Sequence, residues 1–187
     1  MSDSQLCMKR AFDIVFSLVS LLVLSPLYIV IFVLVWCTSK GPAIYKQERI
    51  GLHGIPFYIL KYRTMCHNAE DGVPQLSADH DPRVTEVRKI LRKYRLDELP
   101  QMWNVLKGDM SIVGPRPERR YFIEQIEKQA PYYCLLYKIR PGLTSWGPVK
   151  VGYTDTIEKM VQRLNYDIVY VENMSLQLDF KILFHTI

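Results

Sequence analysis

The stretch Tyr94-Arg95-Leu96-Asp97-Glu98-Leu99-Pro100-Gln101-Met102-Trp103-Asn104-Val105-Leu106-Lys107-Gly108-Asp109, followed by Ser111-Ile112-Val113-Gly114-Pro115-Arg116-Pro117, sets the organisation of this chain. Leu99, Met102, Trp103 and Leu106 recur at the spacing of one apolar helix face, and Gly108 is a natural stop. Pro100 falls in the first turn, where a missing N–H costs little. Asp97 is then expected at or beside the N-cap, where free amides and the helix dipole favour an ionised carboxylate and a nearby phosphate. Two readings stay open for the Asp97-Glu98 pair: ordinary helix capping, or a carboxylate nucleophile working beside bound phosphate with cations offsetting the repulsion.

Working outward, Arg88, Arg92 and Arg95 line one stripe of a helix expected over 83–94, next to an apolar stripe of Val84, Val87, Leu91 and Tyr94. The basic stripe is either a solvated face or a phosphate grip ending at the carboxylate pair. Arginine suits the second role through its planar fork of donors. Upstream, 43–50 and 57–62 read as two short strands joined through Gly51-Leu52-His53-Gly54. Lys61 and Arg63 alternate at the end of the second strand, as solvated edge charges or as ligands of a diphosphate. Residues 66–82 form a polar loop, and His53 and His67 lack partners at ligand spacing.

Downstream, a polar helix is expected from Glu118 to Lys128, and Arg140-Pro141-Gly142 has the residue order of a type II turn. Ile157, Met160, Val161, Leu164, Ile168 and Val171 form a further helix face with Asp167 near its edge. The segment 176–184 is ambiguous between strand alternation and helical period, and an interfacial amphipathic helix would suit a membrane-held protein.

The N-terminal part is almost wholly apolar from Ala11 to Cys37, and about 25 residues at 1.5 Å rise could cross a bilayer. No small-residue cleavage site follows it. Pro26 lies near its middle and removes one backbone hydrogen bond, while Ser25 can satisfy a freed carbonyl. Lys9 and Arg10 precede the segment and Lys40, Lys46 and Arg49 follow it, so the positive-inside tendency places both ends on one face. A bent, re-entrant helix meets that demand. The expected organisation is an N-terminal tail over 1–10, a re-entrant membrane helix over 11–38 broken at Ser25 and Pro26, and a cytosolic-face catalytic domain over 39–187.

The chain has 187 residues, enough for one domain with a sizeable core. Its net charge of +5 suits an anionic partner such as a nucleotide, a lipid phosphate or a membrane surface. Cys7, Cys37, Cys66 and Cys134 are scattered without a C-x-x-C pair, which argues against a zinc site or a disulfide framework and leaves free thiols expected. The fold class expected is α/β, mostly helical with a short β-hairpin.

Taken in order, Lys61-Tyr62-Arg63-Thr64-Met65, Asp81-Pro82-Arg83, Arg92, 96–101, 107–111 and Gly114-Pro115-Arg116-Pro117 strongly resemble the bacterial sugar transferase family, the monotopic polyprenyl-phosphate phosphoglycosyl transferases. The resemblance implies an enzyme of the bacterial cytoplasmic membrane that moves a sugar-1-phosphate from a UDP-sugar to polyprenyl phosphate and releases UMP. It assigns the nucleophile, forming an acyl-phosphate intermediate, to Asp97. Glu98 becomes its partner in metal binding or proton removal, and Mg2+ the cofactor, with Asp97 and Glu98 as its ligands. Lys61, Arg92 and Arg116 become residues near the phosphates, Asp167 an acidic position in the C-terminal helix, and Ser25-Pro26 the break in the membrane helix; with Arg63 from the strand end, these residues make up the expected substrate- and phosphate-binding set. Expected partners are UDP-sugar, polyprenyl phosphate and the membrane, with a homodimer as a further option and no nucleic acid. The family's minimal form is expected. The chain departs from the family pattern at Ser145-Trp146-Gly147-Pro148-Val149. Two other classes stay open: a membrane-associated glycosyltransferase releasing UDP, and a noncatalytic module binding anionic lipid.

Overall fold

The computed structural model describes residues 1, 3–38, 41–64, 86–152 and 154–186, with 86–88 by backbone alone. Cys66, His67, the polar loop, Asp81-Pro82-Arg83, Lys40 and the side chains of Val84, Val87 and Arg88 therefore lie outside the described residues.

Helix α1 (Asp3–Val23) and helix α2 (Ser25–Thr38) are bent by 65° at their junction. The helix begins at Asp3, inside the stretch expected to be a tail. Lys9 and Asp13 are buried against the rest of the protein, and those contacts order the chain's start. Pro26 has no N–H to offer the Leu22 carbonyl four residues back, and the Ser25 hydroxyl donates to it instead at 2.8 Å. Beyond Phe16 the pair exposes many apolar side chains, among them Leu22, Val23, Ile29, Val30 and Trp36, each 59–73 % exposed, while Ile31 and Val35 of α2 are buried. Neither helix alone is long and apolar enough to cross a membrane; the bent pair together is.

Strands β1 (Ile44–Ile50) and β2 (Pro56–Tyr62) form the expected antiparallel hairpin, with Lys46 opposite Leu60 and Ile50 opposite Pro56. Its turn uses left-handed backbone at His53 and Gly54. Helix α3 (Glu86–Lys93) leads through a 3-10 turn (Leu96–Glu98) into α4 (Gln101–Lys107), which ends at Gly108 in the left-handed region (φ 101°). The face of α4 that is buried carries Gln101, Met102, Asn104 and Val105. Trp103, expected on that face, is 54 % exposed instead. Asn104 took its place because its amide splices α4 to β2, accepting from Leu60 N–H at 3.0 Å and donating to the Tyr58 carbonyl at 2.8 Å.

A second small sheet had no sequence signal. Strand β3 (Ser111–Val113) pairs in parallel with β4 (Gly142–Thr144). Gly142 therefore starts a strand and lacks the positive φ that a type II turn requires. Its requirement for glycine is contact: a Cβ there would sit 2.1 Å from the Gly114 nitrogen. Helix α5 (Arg120–Gln129), a 3-10 stretch (Pro131–Lys138), α6 (Trp146–Val151), α7 (Ile157–Glu172) and α8 (Leu176–Thr186) complete the described chain. The ambiguous C-terminal segment is helical, burying Asp179 and Ile182 and exposing Phe180 and Phe184.

Three apolar clusters hold these pieces. One joins α5, the 3-10 stretch and α7 through Ile123, Ile126, Tyr133 and Leu164. A second joins α4, β3, α7 and α8 through Val105, Met110, Ile112, Tyr170 and Ile182. The third packs Ile31 and Val35 of α2 against Tyr62 and Leu91, with Leu96 and Leu99 beside them. The apolar helix α2 thus lies directly against the turn that carries the acidic pair.

Candidate active site

Arg95 adopts left-handed backbone (φ 53°), which ends α3 and starts the 3-10 turn, closed by the Glu98 N–H on the Arg95 carbonyl at 3.1 Å. Pro100, not Asp97, stands at the N-cap of α4. Asp97 and Glu98 therefore sit one turn before the helix, and side chains rather than helix amides determine their environment.

Both carboxylates are about 8 % exposed, yet their partners differ. Glu98 Oε1 accepts from Lys61 Nζ and from Arg116 Nη2, both at 2.8 Å. Burial alone would raise the Glu98 carboxyl, but the combined pull of Arg116 and Lys61 is larger and holds it well below the ordinary carboxylate range. Glu98 also raises Arg116, against burial. Lys61 is lowered by its burial, with Glu98 and Asp97 opposing that shift. Asp97 receives no side-chain donor among the described residues. Burial raises its pKa, Lys61 and Arg92 oppose the rise, and the adjacent Glu98 adds to it.

This arrangement separates two roles. Glu98 stays an anion because two cations share its Oε1 oxygen, so it organises the cations rather than taking protons. Asp97 is a poorly solvated carboxylate next to a cluster of positive charge, the condition in which a carboxylate is a better nucleophile and an incoming phosphate is welcome.

Arg116 reaches Glu98 because its segment is bonded at almost every residue. Asp13 Oδ1 accepts from the Ser111 hydroxyl at 3.1 Å and the Ile112 N–H at 2.9 Å. The Val113 carbonyl accepts from Lys9 at 2.9 Å, and the Pro115 carbonyl from the Gly142 N–H at 2.9 Å. Arg49 donates to the Pro117 carbonyl at 3.1 Å and to Glu118 Oε2 at 3.0 Å, and Arg163 bonds the other Glu118 oxygen. Glu118 is thereby a second buried anion held by two arginines, directly following Arg116-Pro117. Arg163 and Arg49 outweigh the burial that would raise it and keep it ionised.

The bent helix pair is wired into the same frame. Arg10 donates to the Val105 and Leu106 carbonyls at the end of α4 at 2.7 and 2.9 Å. Tyr28 of α2 donates to the Leu99 carbonyl at 3.0 Å, immediately after the acidic pair, and Tyr62 donates to the Tyr28 carbonyl at 2.9 Å.

The structure therefore brings together Lys61, Arg92, Asp97, Glu98 and Arg116. Arg63 and Asp167 have other work. Arg63 is buried where β2 ends and donates to the Gly41 carbonyl at 3.0 Å, bracing the exit from α2. Asp167 is buried and accepts from the Ser145 hydroxyl and, at 2.9 Å, from the Gly147 N–H. Burial pushes its pKa up to about 6 despite Arg163 and these two donors. Sequence reasoning missed Asn104, Glu118 and Tyr28. Only Glu118 gave a local signal, by following Arg116-Pro117; the β2 partners of Asn104 and the Leu99 partner of Tyr28 are distant in sequence.

The bacterial sugar transferase family model matches residues 4–187. The chain belongs to the bacterial sugar transferase family. It is 42 % identical, over 96 % of this chain and 42 % of the relative, to a UDP-N-acetylgalactosamine-undecaprenyl-phosphate N-acetylgalactosaminephosphotransferase of Aeromonas hydrophila. It is 42 % identical to a UDP-glucose:undecaprenyl-phosphate glucose-1-phosphate transferase of Escherichia coli, over 96 % of this chain and 39 % of that one. A relative of the same description from Caulobacter vibrioides is 43 % identical over 96 % of this chain and 68 % of its own length. The chain thus spans about two fifths of the first two relatives. In this bacterial sugar transferase the match begins inside α1, so the bent helix pair belongs to the family unit as much as the acidic pair does.

Proposed function

We propose that this bacterial sugar transferase moves a sugar-1-phosphate from a UDP-sugar to a polyprenyl phosphate at a membrane surface, releasing UMP, through a covalent intermediate on Asp97. The observation that carries the reading is the contrast within the acidic pair: Glu98 is held by Lys61 and Arg116, while Asp97 is buried beside the same cations with no side-chain donor among the described residues. In the first step an Asp97 oxygen forms a bond to the sugar-bearing phosphorus as the bond to the UMP oxygen breaks. In the second, a phosphate oxygen of the lipid attacks that phosphorus and Asp97 leaves as carboxylate. Lys61, Arg92 and Arg116 offset the charge that gathers as anion meets anion.

The donor set fits Mg2+. That ion is commonly held by one or two carboxylates together with substrate phosphates, and Asp97 offers an uncommitted carboxylate next to Glu98. When bound, the ion supplies further neutralisation of the diphosphate.

Anchoring follows from α1 and α2. Lys9 and Arg10 at the start of α1 are bonded to β3 and α4, and α2 leads into β1, so both ends of the bent pair meet the same domain. A chain that enters and leaves on one face is re-entrant, and its exposed apolar surface belongs in lipid. The Tyr28 bond beside the acidic pair supports this reading, since a helix held in lipid there would bring the site to the lipid phosphate. The location proposed is the cytoplasmic face of the bacterial inner membrane.

The test is nucleotide release from a panel of UDP-sugars with Mg2+ and undecaprenyl phosphate, for wild type and Asp97→Asn. Lipid-dependent UMP formed by the wild type alone is the expected result. UDP release would assign an ordinary glycosyltransferase, and UMP release by Asp97→Asn would remove the covalent step.

A further inference from the structure

We propose that Trp146, Lys150 and Lys181 form a headgroup site for an anionic phospholipid of the surrounding membrane, separate from the site at Asp97; the proposal rests on the membrane-bound reading above. Two ammonium groups from different helices converge on one indole: Lys150 Nζ lies 4.7 Å and Lys181 Nζ 6.0 Å from the Trp146 ring centroid. Neither lysine has a carboxylate partner among the described residues. Two like charges brought to one ring repel each other, and an anion between them relieves that repulsion.

The platform is built rather than accidental. The residues on either side of Trp146, Ser145 and Gly147, both donate to the buried Asp167, and a Cβ at Gly147 would sit 2.3 Å from Cγ of Arg163. The ring is thereby fixed to α7, and Asp167 acts as its positioning residue. This also gives a role to the stretch in which the chain departs from its family pattern.

The surroundings select a lipid over a soluble anion. Phe180, Lys181 and Phe184 share one exposed stripe of α8, with Phe184 79 % and Phe180 57 % exposed. Phe180 packs edge-on against Phe12 of α1 at 5.6 Å, so this stripe starts where α1 leaves the domain for its apolar course. His185 meets the Trp146 edge at 6.2 Å. Apolar rings continuous with the anchor, with cations directly beside them, match acyl chain and phosphodiester in one molecule.

The test uses the whole chain in nanodiscs with Trp36→Phe and Trp103→Phe, which leaves Trp146 as the sole tryptophan of three. Its fluorescence is quenched with brominated phosphatidylglycerol or brominated phosphatidylcholine at equal mole fraction. The expected result is stronger quenching by phosphatidylglycerol, with a local enrichment of about fivefold per lysine. In Lys150→Gln/Lys181→Gln the preference is expected to fall to the phosphatidylcholine level, and in the surface control Lys159→Gln to persist. Equal quenching by both lipids, a preference that survives the double substitution, or its loss to inorganic phosphate at constant ionic strength would each overturn the site. No quenching by either lipid, with no flotation on vesicles, would instead overturn the membrane reading itself.

Discussion

Arg116 Nη2 stands 2.8 Å from Glu98 Oε1, and Lys61 shares that same oxygen. Glu98→Gln would keep the shape but leave two largely buried cations without their anion. Removing one partner of a fully buried pair costs about 3–5 kcal/mol, and the partial exposure of Lys61 and Arg116 reduces that to about 2 kcal/mol. A lower Tm is therefore expected. The charge also matters for binding. Glu98 holds the Lys61 pKa up against burial, so its removal lets Lys61 deprotonate at lower pH. UDP-sugar affinity measured against pH should lose its alkaline limb earlier in Glu98→Gln than in wild type. An unchanged profile would detach Lys61 from Glu98.

Asp97→Asn should be more stable than wild type near neutral pH while losing turnover. The sign follows from burial. The folded pKa of Asp97 is raised above its unfolded value, so the folded state binds the extra proton and stability falls as pH rises through the window above 3.8. At neutral pH the buried charge is a net cost that the neutral amide does not carry. Thermal unfolding of both proteins from pH 4 to 8 checks this: the two Tm curves should separate as pH rises, with Asp97→Asn above. Coincident curves would mean that Asp97 is solvated.

Gly142→Ala tests how Arg116 is held. The added Cβ would lie 2.1 Å from the Gly114 nitrogen and 2.4 Å from its oxygen, contacts no side-chain rotation can relieve. Overpacking of this kind costs about 1–3 kcal/mol or more, and here it pushes backbone that leads into Arg116. A fall in Tm accompanied by a rise in KM for the UDP-sugar is expected, with Gly152→Ala, where a Cβ meets nothing within 4 Å but the φ of +76° strains a side chain, lowering Tm while sparing KM.

These tests also mark what the sequence disclosed. The hairpin was legible because 43–50 and 57–62 are strand-like runs around a Gly-rich turn, and the acidic pair because cations flank it locally. The bend was legible from Pro26, since a missing N–H is a property of the residue itself. What could not be read depends on partners far along the chain. Asp13 caps β3 across 98 residues, Arg163 reaches Glu118 across 45, and Asn104 replaces an apolar residue on α4 by serving the edge of β2. Gly142 looked like turn chemistry because a glycine needed for backbone contact and one needed for positive φ are the same letter. Asp167 was counted in the substrate-binding set by its match to an acidic family position, yet its bonds run to Ser145 and Gly147.

Asp167→Asn should change stability in a defined window. The Asp167 pKa is raised from 3.8 to about 6, so stability falls as pH rises between those values, by about 3 kcal/mol at most. Asparagine keeps an oxygen for Ser145 and Gly147 but does not titrate. The dependence of Tm on pH between about 4 and 6 should flatten in the variant.

Cys7 offers a native probe of topology. It is exposed on α1 two residues before Lys9, which donates to the Val113 carbonyl and pairs with Asp179 at 2.6 Å. If those bonds hold the start of α1 on the catalytic face, a chain with Cys7 as its sole cysteine should resist an impermeant maleimide in intact cells and react after permeabilisation. Pro26→Ala returns an N–H to the Leu22 carbonyl and favours a straighter helix, but leaves Lys9 and Arg10 bonded. It should therefore leave Cys7 protected on its own and expose it only when combined with Lys9→Ala/Arg10→Ala. Labelling of the parent in intact cells would mean that the segment crosses the bilayer, with the N-terminus on the far side from Asp97.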